Sequence, residues 1–196
     1  MIRPAHVERP SHRQRAARRF RGVMASVIIG ASLVAAPGKA SAVAVGDPVD
    51  VHAPYDVARL SVTRLYDRWP HVAEHLRGFA YSVSFRDAAR RVVDAADFRL
   101  RFFIDVSGNR HADIVVSARA REGELSPMKL TDLRTGARRT WGSHAGRDDT
   151  IGFLLDIDDL HATRRMHVWA SITDGTTNGT DRVPDDGSLV VWIPGV

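Results

Sequence analysis

The chain has 196 residues, no cysteine, and 28 basic against 23 acidic residues, so it can hold one domain of ordinary size and no disulfide framework. The positive charge lies at the front: residues 1–42 contain eight basic residues and one acidic residue, and the remainder contains 20 basic and 22 acidic residues. A remainder with a slight negative charge predicts that the folded part lacks a basic stripe for a phosphate backbone, and so has no nucleic-acid partner.

The N-terminal segment, residues 1–42, has the pattern of a cleaved signal peptide. A basic stretch precedes an uncharged apolar run over residues 22–36, and Ala40-Ser41-Ala42 follows, the small-x-small pattern that a signal peptidase accepts. A membrane span needs roughly 20 consecutive apolar residues and this run is shorter, so we expect a secreted, extracellular protein whose mature chain has no membrane span. Arg18-Arg19 resembles a twin-arginine signal, which leaves export by Sec or Tat open.

The mature chain is predicted to begin near Val43 with an N-terminal arm, residues 43–55, followed by a single folded domain, residues 56–196. Gly46, Pro48 and Pro54 interrupt any regular alternation of apolar and polar residues in the arm, which predicts a loop there.

One short helix is predicted over residues Tyr66 to Arg77. Pro70 lies where a first helical turn tolerates proline, and Asp67 upstream is a potential cap. Just before this segment, Leu60 and Val62 alternate with polar residues and predict a first strand.

From residue 79 onward, apolar residues alternate with small or polar ones at the strand period of two. The apolar positions are Phe79, Tyr81, Val83 and Phe85; Phe98, Leu100, Phe102 and Ile104; Ile114, Val116 and Ala118; Ile151, Phe153, Leu155 and Ile157; Met166, Val168, Ala170 and Ile172; and Leu189, Val191 and Ile193. Together with the first strand they predict an all-β fold, a single antiparallel β-sandwich of about seven strands. A barrel is the alternative.

The segment from Asp105 to Asp113 is a candidate calcium loop. It resembles the calcium loops of FG-GAP and VCBS repeats, and the resemblance implies that Asp105, Ser107, Asn109 and Asp113 supply oxygen ligands to Ca²⁺. Arg110 stands where those loops have a glycine, and it brings a positive charge toward the ion. The alternative is a polar hairpin turn whose two aspartates bind backbone amides. No other cofactor is predicted.

The segment from His71 to His75 has the His-x-x-Glu-His order of inverted zinc peptidases. On a helix, His71 and His75 would share a face beside Glu74, which gives the alternative function of a metal-dependent hydrolase. The simpler interpretation is a surface helix that carries two histidines. The chain contains no Gly-x-Ser-x-Gly motif, no phosphate-binding glycine loop and no cysteine nucleophile, so no catalytic residue is predicted and the protein is not expected to be an enzyme.

Trp169 and Trp192 are out of phase with the apolar residues of their own strands. If Val168 and Ile193 point inward, the two indoles point outward, where they can stack against sugar rings. The alternative is that the N-terminal arm or the short helix covers them and forms a secondary core.

Three segments carry a resemblance that spans most of the mature chain: GFAYSVSF, FFIDVSGNRHADIVV and TDRVPDDGSLVVWIP. They resemble small secreted bacterial proteins with a DOMON-like or carbohydrate-binding-module-like β-sandwich. The resemblance implies binding of an extracellular ligand, a glycan being the candidate, without catalysis; a purely structural envelope protein is the other possibility. Met166 and His167 are adjacent, but no haem-ligand motif carries over to them.

Overall fold

The computed structural model describes residues 42–48, 55–67, 75–87, 89–141, 144–145, 150–161 and 164–194. Within these ranges the chain forms thirteen strands and two short helices. The strands are β1 Ala42–Gly46, β2 Val57–Asp67, β3 His75–Phe85, β4 Phe98–Asp105, β5 Ile114–Arg121, β6 Glu124–Leu125, β7 Met128–Asp132, β8 Arg138–Trp141, β9 His144–Ala145, β10 Thr150–Asp156, β11 Arg165–Asp174, β12 Thr180–Val183 and β13 Leu189–Trp192. The helices are α1 Ala89–Ala95 and α2 Ile157–Leu160.

The strands form two antiparallel sheets. The five-stranded sheet has the order β1-β2-β3-β10-β9. The eight-stranded sheet has the order β12-β11-β4-β5-β7-β8, with β13 also pairing β11 and β6 also pairing β5. β12 and β13 lie end to end along the same edge of β11, opposite residues 170–173 and 165–168 respectively.

The two sheets share one core, which aromatic side chains from both of them fill. Tyr81 on β3 and Phe153 on β10 stack with ring centroids 4.9 Å apart, and Phe102 of the other sheet meets Phe153 edge-on at 4.9 Å. The buried Tyr81 hydroxyl donates to the Met166 sulfur on β11, at 3.2 Å. Alternation along each strand therefore sends apolar residues inward and leaves the opposite face for polar ones.

The prediction of an all-β chain is confirmed. Each of the seven segments in which the sequence predicts a strand overlaps β2, β3, β4, β5, β10, β11 or β13. Two segments were predicted too long, because Ile157 begins α2 and Ile193 follows the last residue of β13. The predicted number of about seven is too low, because short strands such as β6, β9 and β12 have only two to four residues and show no clear period.

The helix predicted over residues 66–77 is wrong at both ends. Tyr66 pairs with Leu76 and Asp67 with His75, so β2 and β3 extend the hairpin into the predicted helix, and residues 68–74 lie outside the described ranges. The register shifts between Leu65 and Tyr66, but the pairing of β2 with β3 continues to Asp67. Tertiary pairing of this kind overrides a local cap signal.

The loop predicted from residue 43 is also wrong at its start. Ala42–Gly46 forms β1, which pairs with β2 along residues 59–63. Val43 and Val45 are half-buried and pack against the core. Gly46 and Pro48 end this edge strand rather than prevent it.

The helix α1 is a feature that the sequence analysis missed. Ala89, Val92 and Val93 are buried, at spacings of three and four residues that place them on one helical face. No helix within the described ranges is long and apolar enough to cross a lipid bilayer.

Candidate functional site

The outer face of the eight-stranded sheet carries a pair of stacked aromatic rings. Trp169 on β11 lies directly opposite Phe103 on β4, and both are half-buried between fully buried neighbours. Their ring centroids are 5.4 Å apart and the planes differ by 8°. Because residues in direct register project to the same side, both rings lie on the face turned away from the core.

An arginine from the edge strand completes this aromatic cluster. The Arg182 guanidinium on β12 lies over the Trp169 ring, with its carbon 5.8 Å from the ring centroid. The same guanidinium donates to the Gly187 carbonyl at 2.8 Å, which fixes its position relative to the segment after β12. A cation near an aromatic face is attracted by the ring quadrupole, so Arg182 and Trp169 stabilise each other's orientation.

Trp192 lies on the same face, at the sheet edge. Its side chain is 59% exposed, and Val190 two residues earlier is 38% exposed. Trp192 pairs with Arg165, which precedes Trp169 by four residues, so the backbone positions of the two tryptophans are about 14 Å apart along the strand direction. They form two separate platforms on one face.

The backbone at Trp192 is anchored to the other sheet. Arg64 on β2 donates to the Trp192 carbonyl from Nε at 3.1 Å and from Nη2 at 2.7 Å. This contact holds the edge strand β13 in place while leaving the indole exposed.

The sequence analysis named Trp169 and Trp192 but missed Phe103 and Arg182. Phe102 and Phe103 are consecutive in an alternating strand, so one of the two rings must face outward. The sequence could therefore have predicted that Phe103 faces away from the core. No local signal identifies Arg182, because its contact with Trp169 depends on the pairing of β12 with β11.

In the loop after β4, the two aspartate carboxylates bind backbone amides. Asp105 accepts N–H donors of Gly108 at 2.6 Å and Arg110 at 2.8 Å, together with the Ser107 hydroxyl at 3.1 Å. Asp113 Oδ2 accepts the N–H groups of Val106 and Ser107, both at 2.8 Å.

The other predicted ligand, Asn109, accepts the His111 N–H at 2.8 Å through its side-chain oxygen. These contacts are those of the polar-turn alternative, and calcium binding by Asp105, Ser107, Asn109 and Asp113 stays a prediction.

The Asp105 carboxyl is fully buried, yet its pKa lies below the ordinary value. Burial raises the pKa, but the N–H donors of Gly108 and Arg110 and the Ser107 hydroxyl together outweigh burial, with a smaller contribution from nearby His167. The loop therefore favours the ionised carboxylate.

Of the candidate zinc ligands, only His75 lies within the described ranges. It is exposed and begins β3, so the helical spacing that would bring it onto one face with His71 does not extend to it. His71 and Glu74 lie outside the described residues.

A group of aspartates that the sequence analysis did not single out lies where the sheets meet. One carboxylate oxygen each from Asp47, Asp181 and Asp185 lies within 4.8 Å of the others, and the first two residues are buried. Asp181 accepts the Val57 N–H at 2.9 Å, which links β12 of one sheet to β2 of the other. This hydrogen bond gives the group a structural role at the junction.

The adjoining Asp56 is paired with an arginine. Asp56 Oδ2 accepts from Arg86 Nε at 2.6 Å, and Arg86 Nη2 also donates to the Asp47 carbonyl at 2.7 Å. Arg86 thus joins the end of β3 to the segments that follow β1 and precede β2.

Comparison of the chain with protein-family models, curated proteins and solved structures finds no match. Any functional conclusion therefore rests on the geometry of the faces and clusters described above.

Proposed function

We propose that this protein is a secreted, non-catalytic β-sandwich that binds an extracellular carbohydrate through the outer face of its eight-stranded sheet. The aromatic rings on that face are the observation that carries the proposal: the stacked pair Phe103 and Trp169, and the exposed Trp192. The N-terminal signal-peptide pattern supports secretion. The two antiparallel sheets with a common core support the sandwich architecture.

Flat aromatic rings suit a sugar ligand because the C–H-rich face of a pyranose ring packs against an aromatic face and loses its contact with water. Large aromatic side chains on an exposed surface commonly mark binding sites. The Trp169 ring is held between Phe103 on the neighbouring strand β4 and Arg182 on β12, so little ordering of this side chain is required on binding.

The proposal is tested by retention of the purified mature protein on a panel of insoluble polysaccharides, with tryptophan fluorescence recorded during titration with soluble fragments. We expect retention on at least one polysaccharide and a change in fluorescence. Trp169→Ala and Trp192→Ala should each weaken retention roughly two- to tenfold, the size of one aromatic contact.

Leu154→Ala is the matched control. Leu154 is an exposed apolar residue, 42% accessible, on β10 of the other sheet, so its removal should leave retention unchanged. Absence of retention on every polysaccharide, with unaltered fluorescence, would contradict the proposal and favour a purely structural role.

A further inference from the structure

We propose that this same outer face is selective for an anionic polysaccharide, one that carries a carboxylate on alternate sugars. The inference rests on the proposed carbohydrate-binding function and specifies the class of its ligand. It derives from a row of cationic side chains across the sheet, which the near-neutral charge of the folded part did not predict.

The cation row consists of Arg182, Arg101 and Lys129, with a serine between each pair. Ser171 on β11 lies directly opposite Arg182 on one side and Arg101 on the other. Ser117 on β5 likewise lies opposite both Arg101 and Lys129. Residues in direct register share a face, so all five side chains project from the outer face along one line.

The spacing of this row is regular. Consecutive cationic residues are two strands apart, and neighbouring strands are about 4.8 Å apart, so their backbone positions repeat at about 10 Å. The Arg182 guanidinium leans from its position toward the Trp169 ring. Two linked hexose rings have a comparable length. A polysaccharide with one carboxylate for every two sugars can therefore bring successive carboxylates within reach of successive cationic side chains.

The cations of the row have no carboxylate partner within the described part of the chain. Arg101 and Lys129 form neither a salt bridge nor a side-chain hydrogen bond there, and Arg182 donates only to the Gly187 carbonyl. The Asp105 carboxylate on the outer side of β4 accepts loop amides. The Asp174 carboxylate, which lines the same cavity as Arg101, accepts from Thr176, Thr177 and Tyr55. The row is thus available to an external anion.

Two further arginines add positive charge beside the row. Arg99 on β4 lies directly opposite Arg119 on β5, and both are exposed. Like charges in direct register destabilise a sheet, and an external anion between them relieves the repulsion. Together with Arg101 they line a shallow cavity of about 150 Å³ at this end of the face.

The aromatic cluster runs parallel to the cation row. On β11, Trp169 lies two residues before Ser171 of the row. On β4, Phe103 lies two residues after Arg101, so the aromatic pair and the row are about 7 Å apart along the strands. One ligand chain can therefore contact the aromatic cluster and pair with the guanidinium groups. Arginine suits this role because its planar fork binds a carboxylate through two hydrogen bonds.

The spacing favours a polysaccharide over a nucleic acid. A nucleic-acid strand carries a phosphate at every residue, with a rise of about 3.4 Å in the duplex, so its charge is far denser than the row. Aromatic rings also stack on bases, which makes single-stranded DNA the appropriate competing ligand in the test.

The test compares hyaluronan, which has a carboxylate on alternate sugars, with the same polymer after its carboxyl groups are reduced to alcohols. Binding is measured by affinity electrophoresis or by calorimetry on the mature protein, with an oligothymidylate as the third ligand. We expect at least tenfold tighter binding to hyaluronan than to the reduced polymer. Binding to hyaluronan should weaken between about 0.1 M and 1 M NaCl, as the screening length falls from about 10 Å to 3 Å.

Variants then locate the selectivity. Arg101→Gln and Lys129→Gln should each weaken hyaluronan binding about two- to fivefold, the range of a surface ion pair, and leave binding to the reduced polymer unchanged. Arg59→Gln is the matched control, since Arg59 is an exposed arginine on β2 of the other sheet. Unchanged melting temperatures show that each variant is folded.

The outcomes separate this inference from the proposed function. Equal affinity for the two polymers, weakened in both cases by Trp169→Ala, would overturn the anionic selectivity and leave carbohydrate binding standing. Binding to neither polymer, with retention on other polysaccharides in the panel, would overturn only the selectivity. Tighter binding to the oligothymidylate than to hyaluronan would assign the face to a nucleic acid and overturn both.

Discussion

At the scale of single residues, the buried carboxylate of Asp105 organises the turn that follows β4. It accepts hydrogen bonds from two backbone N–H groups, those of Gly108 and Arg110, at positions where φ is positive. Glycine adopts this left-handed conformation readily, whereas Arg110, at φ 69°, does so at a cost. The carboxylate offsets that cost, which is why its charge matters to the fold.

We predict that Asp105→Asn destabilises the protein by about 1–3 kcal/mol at pH 7, because charge-assisted hydrogen bonds to the loop are lost. The pKa of Asp105 is lowered in the folded state, so its contribution is present above the unfolded pKa of about 3.9 and disappears as the pH falls through the lower folded value. The difference between variant and wild type should therefore shrink between pH 7 and pH 3, measured by urea unfolding.

Asp186→Asn, at an exposed aspartate in the segment after β12, is the control and should unfold as the wild type does. A variant that is equally destabilised at both pH values would show that the charge of Asp105 is not the source of its contribution. The wild type itself should still lose stability in acid, because the side chains of Arg134 and Thr177 hold the pKa values of Asp132 and Asp174 low.

At the scale of elements, the close approach of β3 and β10 depends on glycine. Gly78 pairs with Asp156 across this strand pair. A Cβ at Gly78 would overlap the Leu155 carbonyl oxygen and lie 2.9 Å from the Asp156 Cα, and these are backbone atoms that cannot rotate away. The strands must separate locally to accept any side chain there.

We predict that Gly78→Ala lowers the free energy of unfolding by about 1–3 kcal/mol, the usual cost of overpacking. Gly46→Ala on β1 is the matched control, since a Cβ there meets only the Ala58 carbonyl oxygen at 4.0 Å. Thermal unfolding of both variants provides the measurement. If Gly78→Ala has the same melting temperature as Gly46→Ala, β3 and β10 do not approach each other as closely as these distances indicate.

At the scale of the whole molecule, Phe153 connects the two sheets. It belongs to the five-stranded sheet, stacks on Tyr81 of the same sheet, and meets Phe102 of the eight-stranded sheet edge-on. Its side chain is almost completely buried, with 1% exposure. The two sheets should therefore unfold as one cooperative unit.

We predict that Phe153→Ala lowers the free energy of unfolding by about 3–5 kcal/mol, because loss of the ring leaves a cavity between the sheets. Leu154→Ala changes the next residue, which points outward, and should alter stability by less than about 0.5 kcal/mol. Urea unfolding followed by circular dichroism and by tryptophan fluorescence should give coincident transitions for both. Separate transitions for the two probes would contradict a shared core.

Most of the long strands could be predicted from the sequence, because the period of two is a local property of an apolar face and a solvated face. The orientation of Trp192 follows from the same alternation, since Val191 and Ile193 beside it are buried. The helix predicted over residues 66–77 is wrong at its two ends, because the cap signal at Asp67 is weaker than the pairing that extends β2 and β3.

Alternation along the sequence by itself determined that this chain forms strands with one apolar face, and that two indoles fall out of phase with it. Only the tertiary structure decided what surrounds those indoles. Arg182, Arg101 and Lys129 belong to β12, β4 and β7, and strand register brings them into one row with Ser171 and Ser117. Charge summed along a chain carries no information about register, so a slightly acidic domain can still present a cationic face.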